Sequence, residues 1–471
     1  GVTLTHNLPN DSRQTFALAR SAAGLPVSKV WLTVTGNPAT LTWTGTTSNS
    51  WDTTTTNNWI GASPNTFYNN DDVLLNDTAL TRAVTLTGTL APRTAEINTS
   101  LGYTFSGTGS IGGNASITKN GMGTLTLSNT TANTFSGGIT LNAGNINLTN
   151  DTLNANGLGT GSVTMNGGVI SMFDNMSSYN NFTAQLIVPN GATARINADS
   201  RVDIYGSLAG GGTLQYYVPN VRSTFFANWS AFTGTLNVLT DANGGDFRLG
   251  SSYSYPGFPQ ALVNLSDRVW AYYDGTLAEG AGTTIPIGAL SGTTLSTLLG
   301  GATGGRALTY RIGGKNTDSL FAGTISERNT DTATNYIKTG TGVWTLSGTG
   351  NWNGGTSIEQ GTLKITGTSA CAGATQMSSA GVLRIEAGSF TTESVNLVNG
   401  STLAGWGNLT ADLNAEGIIE GRGFASGTAG TMNIQGSVFL GSTSVTRMRA
   451  GITSDLINVS GDLALDGTMQ I

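Results

Sequence analysis

Short alternating apolar–polar stretches, each closed by glycine, recur along this 471-residue chain. Two of them align over most of their length. The first runs Ile117-Thr118-Lys119-Asn120-Gly121-Met122-Gly123-Thr124-Leu125-Thr126-Leu127-Ser128 and resumes at Phe135-Ser136-Gly137-Gly138-Ile139. The second runs Ile337-Lys338-Thr339-Gly340-Thr341-Gly342-Val343-Trp344-Thr345-Leu346-Ser347 and resumes at Trp352-Asn353-Gly354-Gly355-Thr356. Weaker echoes surround them, such as Phe232-Thr233-Gly234-Thr235-Leu236 and Phe321-Ala322-Gly323-Thr324-Ile325. Strands of three to five residues cannot stand alone, so each must stack on a neighbour about 4.8 Å away. Glycine at the corners admits the positive φ that tight turns need. Inward Leu, Ile and Val then form ladders while Thr, Asn and Ser face water.

This pattern predicts an all-β chain: a right-handed parallel β-helix (a solenoid), with irregular loops or an inserted β excursion in the middle. At roughly 20–25 residues per coil it would make on the order of 18 coils. Four stretches follow. Residues 1–40 lack the repeat and read as an N-terminal cap or the end of an upstream domain. Residues 41–169 hold the first clear repeat, 170–330 an irregular aromatic-rich β region, and 331–471 the second clear repeat. The strand-like alternation from Leu463 to Ile471 raises the expectation that the chain is cut from a longer one.

Composition narrows the chemistry. The chain has 67 Gly, one Cys and one His, and only 10% of its residues are charged. Cys371 has no partner for a disulfide, and His6 alone cannot build a zinc site or a His-based triad. A formal charge of −6 argues against nucleic acid as a partner, because phosphate binding needs a basic surface. No apolar run approaches the roughly 20 residues of a transmembrane helix.

The pattern Lys-x-Gly-x-Gly, alternating strand, Leu-Ser, aromatic before Gly-Gly, short strand and final Gly resembles the autotransporter-associated β-strand repeat. Leu403-Ala404-Gly405-Trp406-Gly407-Asn408-Leu409 is similar to the end of such passengers, and Leu41-Thr42-Trp43 with Trp51, Trp59 and Asp71-Asp72-Val73 resembles the lead-in of secreted bacterial repeat proteins. The resemblance implies a passenger-type β-helix of a secreted bacterial polypeptide, secreted or displayed at the cell surface. The same rod carries adhesins, enzymes and spacers, so it implies little about activity. The leading expectation is a non-enzymatic stalk or adhesin module, fibre-forming if its strand edges stack end to end. Its partners would be a host or environmental surface, a glycan or a second copy. The alternative is a carbohydrate-binding module or a β-helix polysaccharide lyase or hydrolase using residues 216–279.

Candidate site residues gather where the repeat weakens. Tyr216, Tyr217, Trp229, Tyr253, Trp270 and Tyr272 would stack on sugar rings if they shared an exposed face. Asp241, Asp246, Asp267, Asp274 and Glu279 lie in the same stretch and would supply the carboxylate pair of a hydrolase, with Arg222, Arg248 and Arg268 as the cations an eliminating base would need nearby. No spacing motif fixes any pair, and solvated turn residues are the better reading. Asp241-Ala242-Asn243-Gly244-Gly245-Asp246 offers oxygen ligands among turn glycines, so Asp241, Asn243 and Asp246 are candidate calcium ligands, without the bidentate Glu of an EF-hand loop. Apart from calcium, no cofactor is expected. Lys119 and Lys338 recur at one repeat position, which points to architecture: an ammonium set on corner carbonyls, its stem covering apolar surface.

Overall fold

The computed structural model describes residues 12–20, 29–173, 180–198, 201–219, 223–250, 257–274, 283–300, 307–328, 333–422 and 428–471. They divide into two compact units, Gly1–Asn197 and Ala198–Ile471. Both are parallel β-solenoids, with one short helix, Asp151–Asn156, among the described residues. The fold class expected from the repeat is therefore the one observed, with about 16 turns in all.

In the first unit the strands Asp72–Asn76, Thr94–Asn98, Ser116–Asn120, Ile139–Leu141 and Val163–Met165 stack in parallel register. Val73, Ala95, Ile117 and Ile139 form one evenly spaced column, and all four side chains are buried. Strand alternation sends every second side chain inward, so the longer strands bury two apolar columns and leave their Thr, Glu and Asn outside. A second ladder runs through Ala83–Leu86, Tyr103–Ser106, Thr124–Leu127, Asn145–Leu148 and Val169–Ser171. Outside, amides join coil to coil: Asn142 donates to Asn120 and Asn166 to Asn142, both at 2.8 Å.

The N-terminal coils are closed by aromatic rings. Trp43, Trp51, Trp59 and Phe67 are fully or almost fully buried, with ring centroids 5.0–6.0 Å apart. The short strand Trp59–Ile60 runs antiparallel to Thr40–Trp43 and covers the edge of that ladder, which would otherwise present unpaired backbone groups. Thr15–Arg20 and Val30–Thr35 form an antiparallel hairpin, so the residues before the repeat are strand where they are described. Arg13, just before it, reaches the fully buried Asp71: Nε donates to both carboxylate oxygens at 3.0 Å, and Nη2 to the Thr66 carbonyl at 2.6 Å. Backbone N–H groups of Ala39 and Tyr68 complete the carboxylate's partners.

In the second unit the coils change length. The step along an inward column is long from Leu236 to Val263 and on to Leu290. It shortens through Leu363, Leu383 and Leu403, and shortens again from Leu403 to Ile419. Every pairing among the described strands between Val202 and Glu327 is parallel. The described strands of this stretch are therefore stacked coil on coil. Large rings fill the wide coils. Tyr216, Phe225, Trp229, Phe247 and Phe258 form one interior cluster with centroids 4.5–6.3 Å apart. Tyr310, Tyr336, Trp344 and Trp352 form a second. Trp229 also donates from Nε1 to the Gly206 carbonyl at 2.8 Å. Trp229→Ala is expected to lower stability by about 3–5 kcal/mol, read as a lower urea midpoint. A change below about 1 kcal/mol would show that the ring is not part of the packed interior.

Candidate functional site

Coil stacking places residues of successive coils side by side on the outer face. On one outward column of the second unit stand Asp203, Thr224, Arg248, Tyr272, Leu299 and Ser326. On the next stand Asp246, Trp270, Thr297, Thr324, Thr349 and Thr368. The two columns share a network of charges. Arg248 donates to Asp246 at 2.8 Å and to Asp274 at 2.7 Å. The Tyr272 hydroxyl donates to the same Asp246 oxygen, Oδ2, at 2.6 Å. Arg328 lies 3.4 Å from Asp274 and its guanidinium sits 4.3 Å over the Tyr272 ring.

The electrostatics follow from burial and pairing. Burial raises the Tyr272 phenol well above its usual range, and its bond to Asp246 raises it further. Burial also acts to raise Asp274, but the hydrogen bond and charge of Arg248, with Arg328 behind, outweigh it and hold the carboxyl below its ordinary value. Asp203 is pushed up to about 6 by burial and by the negative charge of Asp274, against a hydrogen bond from Thr224 and the charge of Arg248.

The aromatic residues expected to form one sugar-stacking row are split by strand alternation. Tyr216 and Trp229 are wholly buried and belong to the interior cluster, so no ligand reaches them from solvent. Tyr217 points outward and is half-buried. Trp270 is 42% exposed and Tyr272 only 4%, because two guanidiniums cover its outward ring. Tyr253 lies outside the described residues. The candidate calcium ligands also part company. Asp241 folds back to accept from the backbone N–H and amide of Asn243, whereas Asp246 engages Arg248 and Tyr272. Among the described residues no three His, Cys, Asp or Glu side chains converge on a point that would hold a metal. Asp203 and Arg328 were missed in the sequence; only the coil length brings them beside Asp274 and Tyr272.

A second construction recurs in both units, at the clear repeats. Lys119 occupies an inward column between Ile97 and Leu141, and Lys338 one between Ile312 and Ile358. Both are buried. Lys119 Nζ donates to the carbonyls of Asn120 and Gly121 at 2.8 Å and of Ala143, one coil on, at 3.3 Å. Lys338 repeats this on Thr339, Gly340 and Gln360 at 2.6, 2.7 and 3.0 Å. The glycine of the following coil completes the corner. A Cβ on Gly144, at φ +70°, would stand 2.4 Å from the Gly123 carbonyl oxygen and 2.8 Å from the ammonium, and Gly361 is equivalent. The Lys-x-Gly-x-Gly spacing and the distant glycine are thus parts of one corner spanning two coils, in line with the architectural role that the lysine's recurrence indicates.

Burial pushes both ammonium groups down to about 8. Between that value and the ordinary 10.5, the unfolded chain binds more protons than the folded one, so these groups make stability rise with pH across that window. Lys119→Met and Lys338→Met, which leave corner carbonyls short of a donor, are each expected to cost about 1–3 kcal/mol at pH 7.5. The deficit against the parent should widen at pH 10, and urea midpoints at the two pH values check both statements. Asp203 has the opposite sign: a raised carboxyl favours folding when protonated, and that contribution is lost as pH rises from about 4 through 6. Asp203→Asn should therefore raise the urea midpoint at pH 8 and leave it nearly unchanged at pH 4.

The family model described as the passenger-associated-transport-repeat matches residues 117–148 and 337–365. Each match begins within the strand that carries a corner lysine and extends past the glycine that closes over it. No curated protein matches the chain. The two repeats and the parallel β-solenoid that contains them fit an autotransporter passenger-type β-helix repeat protein.

Proposed function

We propose that this chain is a non-enzymatic β-helical stalk, a passenger module that is secreted or displayed at a bacterial cell surface. The observation that carries this reading is the recurrence of one corner construction in the two matched repeats. The inward columns are buried apolar and aromatic side chains, and the corners are stitched by the same lysine device in both matched repeats. A passenger repeat implies secretion or surface display. Among the described residues no helix is long and apolar enough to cross a membrane. The outer columns of Thr, Ser and Asn, such as Thr349, Thr368, Ser389 and Asn408, suit a polar module that meets a host or environmental surface or a second copy of itself.

Three properties support the stalk over an enzyme. Tyr216 and Trp229 are core filler rather than platform. Arg248 is paired with Asp246 and Asp274, and Asp274 with Arg248 and Arg328. The backbone of the strands is paired from coil to coil, which leaves few openings for a protease.

The test has two parts. Antibody raised against the chain should stain intact cells of the source bacterium as strongly as permeabilised ones, and proteinase K should leave the native chain whole while digesting it in urea. Staining confined to permeabilised cells would overturn the location. Release of saccharides from a polysaccharide panel by the purified chain would overturn the non-enzymatic reading.

A further inference from the structure

Trp270 stands out on the second unit's surface. It is 42% exposed on a strand whose other four residues are buried. Its position is set by backbone, since a Cβ on Gly244 would lie 3.1 Å from two of its ring carbons. The indole therefore rests on a turn of the preceding coil that has no side chain there. Towards the following coils its column drops to threonine, at Thr297 and Thr324, and that of Tyr272 drops to Leu299 and Ser326. The drop leaves an open groove of about 500 Å³ along Trp270 and Tyr272, walled by Asp246 and Arg328.

The groove's polar groups are held in place before any ligand arrives. Asp246 Oδ2 accepts from Arg248 and Tyr272, while its Oδ1 makes no hydrogen bond among the described residues. Arg328 is stacked on the Tyr272 ring and spends one contact, at 3.4 Å, on Asp274. An exposed indole, a fixed carboxylate acceptor, a fixed guanidinium donor and a floor of hydroxyls make up a small set of convergent polar groups beside an aromatic face. A pyranose ring matches it: its C–H face lies against the indole, and its hydroxyls bond a carboxylate and a guanidinium at the rim. Charge narrows the class. The patch holds three carboxylates, Asp203, Asp246 and Asp274, against two guanidiniums, Arg248 and Arg328, which disfavours polyanions.

We infer that the groove beside Trp270 binds a neutral saccharide chain, with Trp270 as the stacking platform and Asp246 and Arg328 as the hydroxyl-binding groups. This site is separate from the stalk reading and survives or fails without it. Saturation-transfer NMR on the full chain with cellohexaose, xylohexaose, mannohexaose and maltohexaose should show at least one binding with a dissociation constant of about 0.1–10 mM. Trp270→Ala should weaken that binding at least about tenfold, which is about 1.4 kcal/mol, while Trp270→Phe keeps most of it. Asp246→Asn should weaken it measurably, whereas Phe439→Ala, an equally exposed aromatic in another coil, should leave it unchanged. Far-UV circular dichroism confirms that each variant is folded, and Trp270→Phe and Asp246→Asn carry the test if Trp270→Ala is not. Absence of binding by all four sugars at about 10 mM, binding indifferent to the Trp270 and Asp246 variants, or tighter binding of polygalacturonate would overturn the inference.

Discussion

No coil of this protein can bury its own apolar side chains. A strand such as Ser116–Asn120 turns Ile117 and Lys119 inward, yet two side chains make no core until the coils on either side place theirs above and below. Everything else follows from that dependence. Backbone hydrogen bonding runs between coils, so register must hold from each coil to the next, and inward columns must keep compatible volumes along their length. The large rings show the same rule at the wide coils, where aliphatic side chains alone would leave space and Phe225, Trp229 and Phe247 close it. Stability in such a stack is close to a sum of coil terms and neighbour terms, so a weak coil is carried by the two it touches.

The corner lysines illustrate how a polar group is kept inside such a stack. A buried ammonium in an apolar column is unfavourable by itself. Here it bends to three carbonyls belonging to two coils, so one side chain satisfies backbone groups that a tight glycine corner leaves turned inward. The aliphatic stem meanwhile continues the column, as between Ile97 and Leu141. Methionine would keep the volume and lose the bonds, and alanine would lose both.

The legible parts of the sequence are those in which the corner chemistry repeats. Over residues 117–148 and 337–365 the lysine, its glycines and the alternating strands all recur, and the fold can be read from them. The middle of the chain was hard to read because its coils lengthen, as between Leu236, Val263 and Leu290, which breaks the repeat without breaking the stacking itself. Site residues fared differently again. Asp246, Arg248, Trp270, Tyr272 and Asp274 could be picked by type only together with Asp241, Asp267, Glu279, Arg222 and Arg268. Their shared face could not, because alternation separates inward from outward only once each strand's phase is known. Tyr216 and Tyr217 are neighbours in sequence and lie on opposite sides of the wall. Asp203 and Arg328 join the group only through coil lengths that no local pattern records.

The spread of coil lengths, from the long step between Leu236 and Val263 to the short one between Leu403 and Ile419, has a consequence for how such a molecule can change. Because length is absorbed in the connections while the inward columns stay in register, residues can be added to or removed from a coil without moving the columns above and below it. Change can therefore act on the two layers separately: packing constrains the wall, and the outside is open to editing one coil at a time. The surface around Trp270, built from outward positions on long coils, lies in the layer that is free to be rewritten.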